Sequence, residues 1–200
     1  MDLESSPRES VKITAIGELG RQEYAALRDT VRTRGLARPL VAFAGIFAWA
    51  GALLGVLIWL QNPLAAVVPL LVLVTGFEVV RSLHLSVERI GRYVQVFFEE
   101  SSAGEEAPLT PPAWERTAMI FGPGVPGAGG HPLFFPIFFI AAVVNMLAVI
   151  LPGPLPVEIS TLLVPHASFI VWMLYCERGM RRQRTSELAR FRALKKDSRV

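Results

Sequence analysis

Long uncharged runs alternate with charged segments along this chain, and the runs predict helices. The first run, 39–60, holds twenty-two residues without a charge, and as a helix it would reach about 33 Å. That length covers the hydrocarbon core of a bilayer, which is about 30 Å thick. Further runs occupy 64–77, which must continue to about residue 82 to span, 133–151 and 157–176. The pattern predicts an all-α, polytopic membrane protein with four transmembrane helices arranged as two hairpins.

Short polar or proline-rich turns separate the two helices of each predicted hairpin. The segment 61–63 suits the first turn, because its asparagine can cap a helix and its proline fits the first helical position. The Pro-Gly-Pro segment at 152–154 forces the second turn. Pro69 and Pro165 fall inside the second and fourth runs, where each is expected to bend its helix.

All basic residues lie on one side of the predicted spans. The segments 1–38, 78–131 and 177–200 carry 7, 4 and 9 Lys and Arg residues, which are all 20 in the chain. The two opposite turns carry none. Because positive residues stay on the cytoplasmic side, both termini and the central segment are predicted to be cytoplasmic. The expected location is the plasma (inner) membrane, as a multi-pass protein.

This topology divides the chain into five segments. In the cytoplasmic N-terminal segment, Arg21–Arg34 is predicted to form an amphipathic helix that ends at Gly35 and lies on the headgroups. The five segments are the N-terminal segment 1–38, the first hairpin with a long amphipathic extension of helix two into the cytoplasm 39–100, a cytoplasmic Pro/Gly-rich loop 101–131, the second hairpin 132–176 and a basic cytoplasmic tail 177–200.

A polar stripe runs along the second helix as it leaves the membrane. Its members recur at spacings of three or four residues and cover about 120° of the helix circumference, namely Glu78, Arg81, His84, Glu88, Arg92, Gln95 and Glu99. One interpretation is a solvent-exposed face laced by salt bridges. The other is a functional site at the inner membrane edge, for which the first five residues are the candidates.

Glu78 is the member of the polar stripe that most needs an explanation. It lies some 6 Å inside the cytoplasmic edge by the length count, where an unpaired charge is costly and marks a functional hypothesis. Arg81, three residues later, is its predicted partner. His84 and Glu88 supply only two potential ligands, so no metal site is predicted.

Two further features concern packing inside the membrane. Asn145 and His166 lie near mid-bilayer on the third and fourth spans, and they are expected to form interhelical hydrogen bonds. Gly51 and Gly55 form a GxxxG pattern in the first span. This pattern favours close helix contact, either within the bundle or between subunits.

No catalytic or nucleotide-binding motif accompanies these residues. The sequence contains no HExxH, GxSxG or CxxC motif, and its glycine-rich segment 122–130 lacks the Gly-Lys-Ser/Thr ending of a P-loop, so no catalytic residue, cofactor or metal is predicted. The tail 177–200 carries nine basic and three acidic residues. We expect it to anchor the topology and to attract anionic lipids, and we expect no nucleic-acid partner.

The leading functional hypothesis is a non-enzymatic interaction protein, scaffold or accessory subunit, acting as a homo-oligomer or with a partner membrane protein. The alternative is a small oligomeric transporter or channel that uses Glu78. A membrane enzyme whose polar stripe faces headgroups is a third hypothesis. Whether the polar stripe faces a cavity, solvent or another helix distinguishes them.

Overall fold

The computed structural model describes residues 7–60, 62–99, 133–151, 153 and 155–197, and in these ranges the chain is almost entirely helical, without strands. This confirms the predicted all-α class. The predicted loop 101–131 and the end of the tail lie outside the described residues. The four main helices are α1 (Pro7–Gly55), α2 (Val67–Val94), α3 (Phe134–Ile150) and α4 (Pro156–Asp197).

Short irregular turns extend or introduce these helices. The π-helical turns Val56–Leu60 and Gln95–Glu99 extend α1 and α2, and the 3-10 turn Pro63–Ala66 leads into α2. Asn62 caps this turn as predicted, because its side chain accepts a hydrogen bond of 2.9 Å from the Leu64 amide.

Three helical stretches are long and apolar enough to cross a membrane: Glu18–Leu60, Pro63–Phe98 and Pro156–Asp197. α3 is apolar throughout, but it has only 17 residues, which correspond to about 25 Å. The chain is therefore a helical protein with three helices of spanning length and a fourth, shorter apolar helix.

α2 is the central helix of the bundle and contacts α1, α3 and α4. It runs antiparallel to α1, since Tyr24 meets Phe98 while Gly45 meets Gly76. It runs parallel to α4, since Trp172 contacts Glu78 and Lys195 donates to the carbonyl of Val96. The charged parts of α1, α2 and α4 consequently extend together beyond one end of the apolar bundle. We call these parts (18–38, 83–99 and 177–197) the stalk.

An aromatic core joins α2 to α3 and α4. The ring of Phe77, which is fully buried, lies 5.9 Å from the rings of Phe134, Phe138 and Phe169, measured between centroids. Tilted and edge-on pairs of this kind are favourable beyond the apolar area that they bury. The bundle is therefore held at this level by contacts of one phenylalanine with two other helices.

α1 does not end at Gly35 as predicted, but continues through Gly35 and Pro39. A glycine inside a helix costs about 1 kcal/mol and a proline about 3 kcal/mol. Contacts with α2 on both sides of these residues, at Tyr24 and at Gly45, hold the helix continuous. The predicted helix end at Gly35 is therefore wrong, whereas the location of this segment on the headgroups stays a prediction; its Tyr24 packs on Phe98 in the π-helical turn that extends α2.

Of the two prolines that are each expected to bend a helix, Pro69 does not lie in a helix interior, and the bend at Pro165 stays a prediction. α2 begins at Val67, so Pro69 lies in its first turn, where an amide hydrogen has no acceptor within the helix in any case. Pro165 lies within the single helix α4. At the second turn Gly153 has φ of 74°, a conformation that glycine adopts without strain.

Gly51 and Gly55 meet no other helix in the part of the chain that the structure describes. A Cβ atom built at Gly51 would meet nothing within 4 Å, and one at Gly55 would meet only the ring of Trp59, one turn later. The close approach of α1 to α2 uses Gly45 and Gly76 instead, where a Cβ on either glycine would lie 3.6 Å from the other's Cα. Within the described residues neither glycine brings α1 close to another helix, and packing between copies stays a prediction.

Candidate functional site

The polar stripe of α2 faces neighbouring helices. Its candidate residues form three separate contacts, which lie at different levels along the helix and involve α4, α1 and again α4. Glu78 and Arg81 meet α4 inside the bundle, His84 meets α1 at the end of the apolar stretch, and Glu88 and Arg92 meet α4 again in the stalk.

The predicted pair of Glu78 and Arg81 is present. Arg81 donates from Nε and Nη2 to Glu78 Oε2, at 3.0 and 2.5 Å. Trp172 of α4 donates from its indole Nε1 to Glu78 Oε1 at 2.6 Å, and the Arg81 guanidinium lies over the Trp172 ring at 5.9 Å. Both carboxylate oxygens of Glu78 are therefore engaged, and its charge is balanced by a cation that also stacks on the aromatic ring.

His84 contacts Arg38 of α1. Arg38 Nη1 lies 2.7 Å from His84 Nδ1, and since a guanidinium can only donate, Nδ1 accepts and the neutral ring carries its hydrogen on Nε2. Burial of His84 lowers its pKa, the charge of Glu88 acts in the opposite direction, and the charges of Arg38 and Arg92 lower it further. The net pKa lies below the usual value, so His84 is neutral at pH 7.

Arg92 is the centre of an ion-pair network in the stalk. Its guanidinium donates to Glu88 at 3.1 Å and to Glu187 of α4, although the side chain is only 3% exposed. Arg89 and Gln183 also donate to Glu187, at 3.1 and 2.7 Å. We call this network of Arg89, Arg92, Gln183 and Glu187 the α2–α4 clamp.

The pKa of Glu187 reflects the α2–α4 clamp. Burial raises the pKa of this carboxyl, but hydrogen bonds from Gln183, Arg92 and Arg89 outweigh that effect, so the net pKa is lowered. Glu187 is accordingly ionised at neutral pH and is the acceptor that three side chains share.

Aromatic rings close the far end of the stalk. Tyr93 stacks on Phe97 with centroids 4.7 Å apart, and its ring also meets Phe191 of α4 at 5.9 Å. The Tyr93 hydroxyl donates to Glu23 of α1 at 2.9 Å. Tyr93 therefore contacts both α1 and α4 at this end of the stalk.

Asn145 and His166 form the predicted interhelical hydrogen bond inside the bundle. Asn145 Nδ2 lies 2.8 Å from His166 Nε2 and 3.2 Å from the Ala66 carbonyl, while Asn145 Oδ1 accepts from Trp49 Nε1 at 3.1 Å. His166 Nδ1 donates to the Leu162 carbonyl at 2.7 Å. Both side chains are fully buried with their polar atoms engaged, so the network connects four helical segments.

The sequence-based prediction lacks several residues of these contacts, among them Arg38, Trp49, Trp172 and Glu187. Only Glu187 carries a signal, because it is one of three acidic residues in a tail with nine basic ones. Within the described ranges, no group of three or more His, Cys, Asp or Glu residues is placed to hold a metal ion.

The bundle and stalk define the class of the protein as all-α, with apolar helices of membrane-spanning length and a charged helical stalk at one end. No protein family, no functionally characterised protein and no solved structure matches the chain.

Proposed function

We propose that this protein is a non-enzymatic membrane scaffold or accessory subunit that presents its three-helix stalk to a partner in the cytoplasm. The partner is a second copy of the chain or another membrane protein. In this proposal the bundle anchors the protein, and the stalk holds a fixed orientation to the membrane surface.

The α2–α4 clamp is the observation that carries the proposal. Arg92 is 3% exposed although it lies outside the apolar stretch of α2, and burying a charge is costly unless it is paired and hydrogen-bonded. Glu187 meets that requirement from another helix, 95 residues away in sequence. Such a network supports a stalk with one defined arrangement, which is what a binding surface requires.

The engagement of Glu78 argues against the transport alternative. An ion-binding or proton-carrying carboxylate needs an oxygen that is free to exchange its partner. Both oxygens of Glu78 instead accept hydrogen bonds from Arg81 and Trp172. Glu78 therefore fits a structural role that joins α2 to α4.

The proposed topology has four spans, both termini in the cytoplasm and a location in the plasma (inner) membrane. α3 lies beside α2 within the apolar bundle, which supports counting it as a span despite its length. The stalk contains the basic residues that the positive-inside rule assigns to the cytoplasm, and the basic tail also suits a general attraction to anionic lipids.

Native gel electrophoresis of membranes extracted in mild detergent tests the scaffold function. The full-length protein is expected in a complex larger than one chain, and Glu187→Gln is expected to dissociate that complex while staying inserted in the membrane. The matched control is Glu18→Gln, whose carboxylate forms an exposed, long pair with Arg21 at 4.0 Å. A wild-type protein that runs as a single chain alone would refute the proposal.

Ion flux into proteoliposomes tests the transport alternative separately. The scaffold proposal expects no flux above that of protein-free vesicles. A proton or cation flux that the wild type supports and Glu78→Gln abolishes would favour the transporter instead.

A further inference from the structure

The contact between Arg38 and His84 involves a cation that has no carboxylate partner among the described residues. Among the described residues Arg38 has His84 as its only polar partner, through Nη1. Its Nε and Nη2 groups therefore have no acceptor in the part of the chain that the structure describes. The two arginines of the polar stripe, Arg81 and Arg92, are each paired with a glutamate, so Arg38 differs from them in lacking a described counter-charge.

The position of this contact places it at the level of lipid phosphates. Arg38 directly precedes the uncharged run 39–60, and His84 lies two residues after 64–82, the predicted extent of the second span. Arg34, one turn before Arg38 on α1, is exposed and has no partner among the described residues. Two guanidinium groups thus lie on one side of α1 where the hydrocarbon region ends.

The donors of this contact suit an oxygen anion. A guanidinium presents its N–H groups as a planar fork that matches a phosphate. Neutral His84 adds a donor on Nε2, because Nδ1 is the atom that accepts from Arg38. Arg38 and His84 together therefore offer donors with no described acceptor and a net charge of one.

We propose that Arg38 and His84 form a binding site for the phosphate of one anionic phospholipid. The inference is independent of the scaffold function, and the orientation of the protein decides only which leaflet supplies the lipid. It also differs from a general attraction by the basic tail, because it names one site between α1 and α2.

The site has a built-in dependence on pH. The groups that face His84 are Arg38 of α1, Glu88 and Arg92 of α2, and the uncharged ring of Phe134 of α3 at 5.7 Å. When His84 is protonated, its Nδ1 no longer accepts from Arg38, and two cations face each other. A phosphate between them relieves that repulsion, so lipid affinity rises as the pH falls.

Native mass spectrometry of the full-length protein in neutral detergent tests the site, with phosphatidylglycerol as the probe and phosphatidylcholine as the zwitterionic comparison. Arg38→Gln is expected to weaken binding of the first phosphatidylglycerol by about tenfold or more. Arg38→Lys keeps the positive charge but lacks the planar guanidinium, and it is expected to weaken this binding less than Arg38→Gln does. The matched control Arg32→Gln removes an exposed charge from another face of α1. We expect it to weaken phosphatidylglycerol binding by about fivefold at most.

Three results would overturn the inference. Equal losses for Arg38→Gln and Arg32→Gln would reduce the effect to general electrostatics. Displacement of the lipid by inorganic phosphate at equal concentration would show that a free anion, not a lipid, is the ligand. An unchanged pH dependence in His84→Gln, which keeps a hydrogen-bonding group but does not titrate, would remove His84 from the site.

Circular dichroism separates these outcomes from unfolding. If Arg38→Gln loses helix content, the comparison uses Arg38→Lys and His84→Gln, which retain a donor and an acceptor for the α1–α2 contact. The complex size in native gels is expected to be the same for these variants as for the wild type, so failure of the lipid site and failure of the scaffold function give different results.

Discussion

At the level of single residues, partners from a distant part of the chain decide what each charged side chain of α2 does. Arg81 shares Glu78 with the indole of Trp172, and Arg92 shares Glu88 and Glu187. Removing one member of such a group leaves the others without a partner in surroundings of low polarity, which costs more than the pair itself contributes. Substitutions that remove one or both members can therefore measure these contacts.

The pair of Glu78 and Arg81 is predicted to be energetically coupled. Glu78→Gln and Arg81→Gln are each expected to lower the midpoint of thermal unfolding in detergent, because each leaves a charge inside the bundle edge unpaired. The double variant is expected to recover part of the loss, with a coupling free energy of at least about 0.5 kcal/mol. Additive losses in the double variant would contradict this prediction and show that the residues do not interact.

Glu187 is predicted to make stability depend on pH. Its folded pKa is lowered, so its contribution is complete above the unfolded value of about 4.3 and is lost as the pH falls through the folded pKa. At neutral pH, Glu187→Gln is expected to lower the free energy of unfolding by about 1–3 kcal/mol, because Arg92 loses one of its two carboxylates.

Thermal unfolding followed by circular dichroism across this acidic range measures the effect. Wild type and Glu187→Gln are expected to converge in stability as the pH falls, whereas Glu18→Gln should match the wild type within about 0.5 kcal/mol at neutral pH. A constant difference between wild type and Glu187→Gln at every pH would mean that the carboxylate does not titrate with the fold.

At the level of elements, the register between α1 and α2 depends on two small residues. Gly45 and Gly76 face each other where the helices approach most closely, and Phe138 of α3 packs over Gly76. Glycine pairs allow close backbone contact between helices in membranes, where dispersion contacts contribute much of the association. Glycines elsewhere on α1 lack this role within the chain.

Leucine substitutions are predicted to separate the two kinds of glycine. A Cβ at Gly76 would lie 3.2 Å from Phe138 Cε1 and 3.6 Å from Gly45 Cα, so Gly76→Leu is expected to cost about 1–3 kcal/mol through overpacking. Gly51→Leu, which would meet nothing within 4 Å, is expected to leave the unfolding midpoint unchanged.

The oligomeric state of Gly51→Leu answers a separate question. If Gly51 and Gly55 pack between copies, light scattering in detergent will report a smaller assembly for Gly51→Leu with its thermal stability intact. A loss of thermal stability in the separated single chain would instead place Gly51 in the bundle, against the geometry described above.

At the level of the whole molecule, the stalk and the apolar bundle share three continuous helices, so the membrane orientation fixes the position of the stalk. α1, α2 and α4 each pass from the bundle into the stalk without a break. The turns at the opposite end carry no Lys or Arg. The positive-inside rule then predicts the side on which the stalk lies.

Cysteine labelling with a membrane-impermeant reagent tests this orientation. Cysteines introduced at Asn62 and Gly153 are expected to react from outside intact cells, and those at Gly104 and Ser198 only after permeabilisation. The native Cys176 is buried and serves as the background. Labelling of Gly104 from outside would invert the proposed topology.

The sequence by itself determined the helical class, the apolar stretches and the pairs within one helix. In a low-polarity environment a helix satisfies all backbone hydrogen bonds within its own segment, and uncharged runs of about twenty residues have the length of a spanning helix. Residues three or four positions apart meet on any helix. The pair of Glu78 and Arg81 and the cap at Asn62 could therefore be predicted. The hydrogen bond between Asn145 and His166 could also be predicted, because polar side chains on neighbouring helices inside a membrane hydrogen-bond to one another.

Only the tertiary structure decided which helices the polar stripe faces and where the helices end. Glu187, Trp172 and Arg38 lie 95, 94 and 46 residues from their partners Arg92, Glu78 and His84, and periodicity along one helix carries no information at that distance. Gly35 and Pro39 have the local preferences of a helix end, but packing along α2 outweighs them. These local preferences amount to only a few kcal/mol. Packing against α2, which depends on the whole chain, outweighs them and keeps α1 continuous.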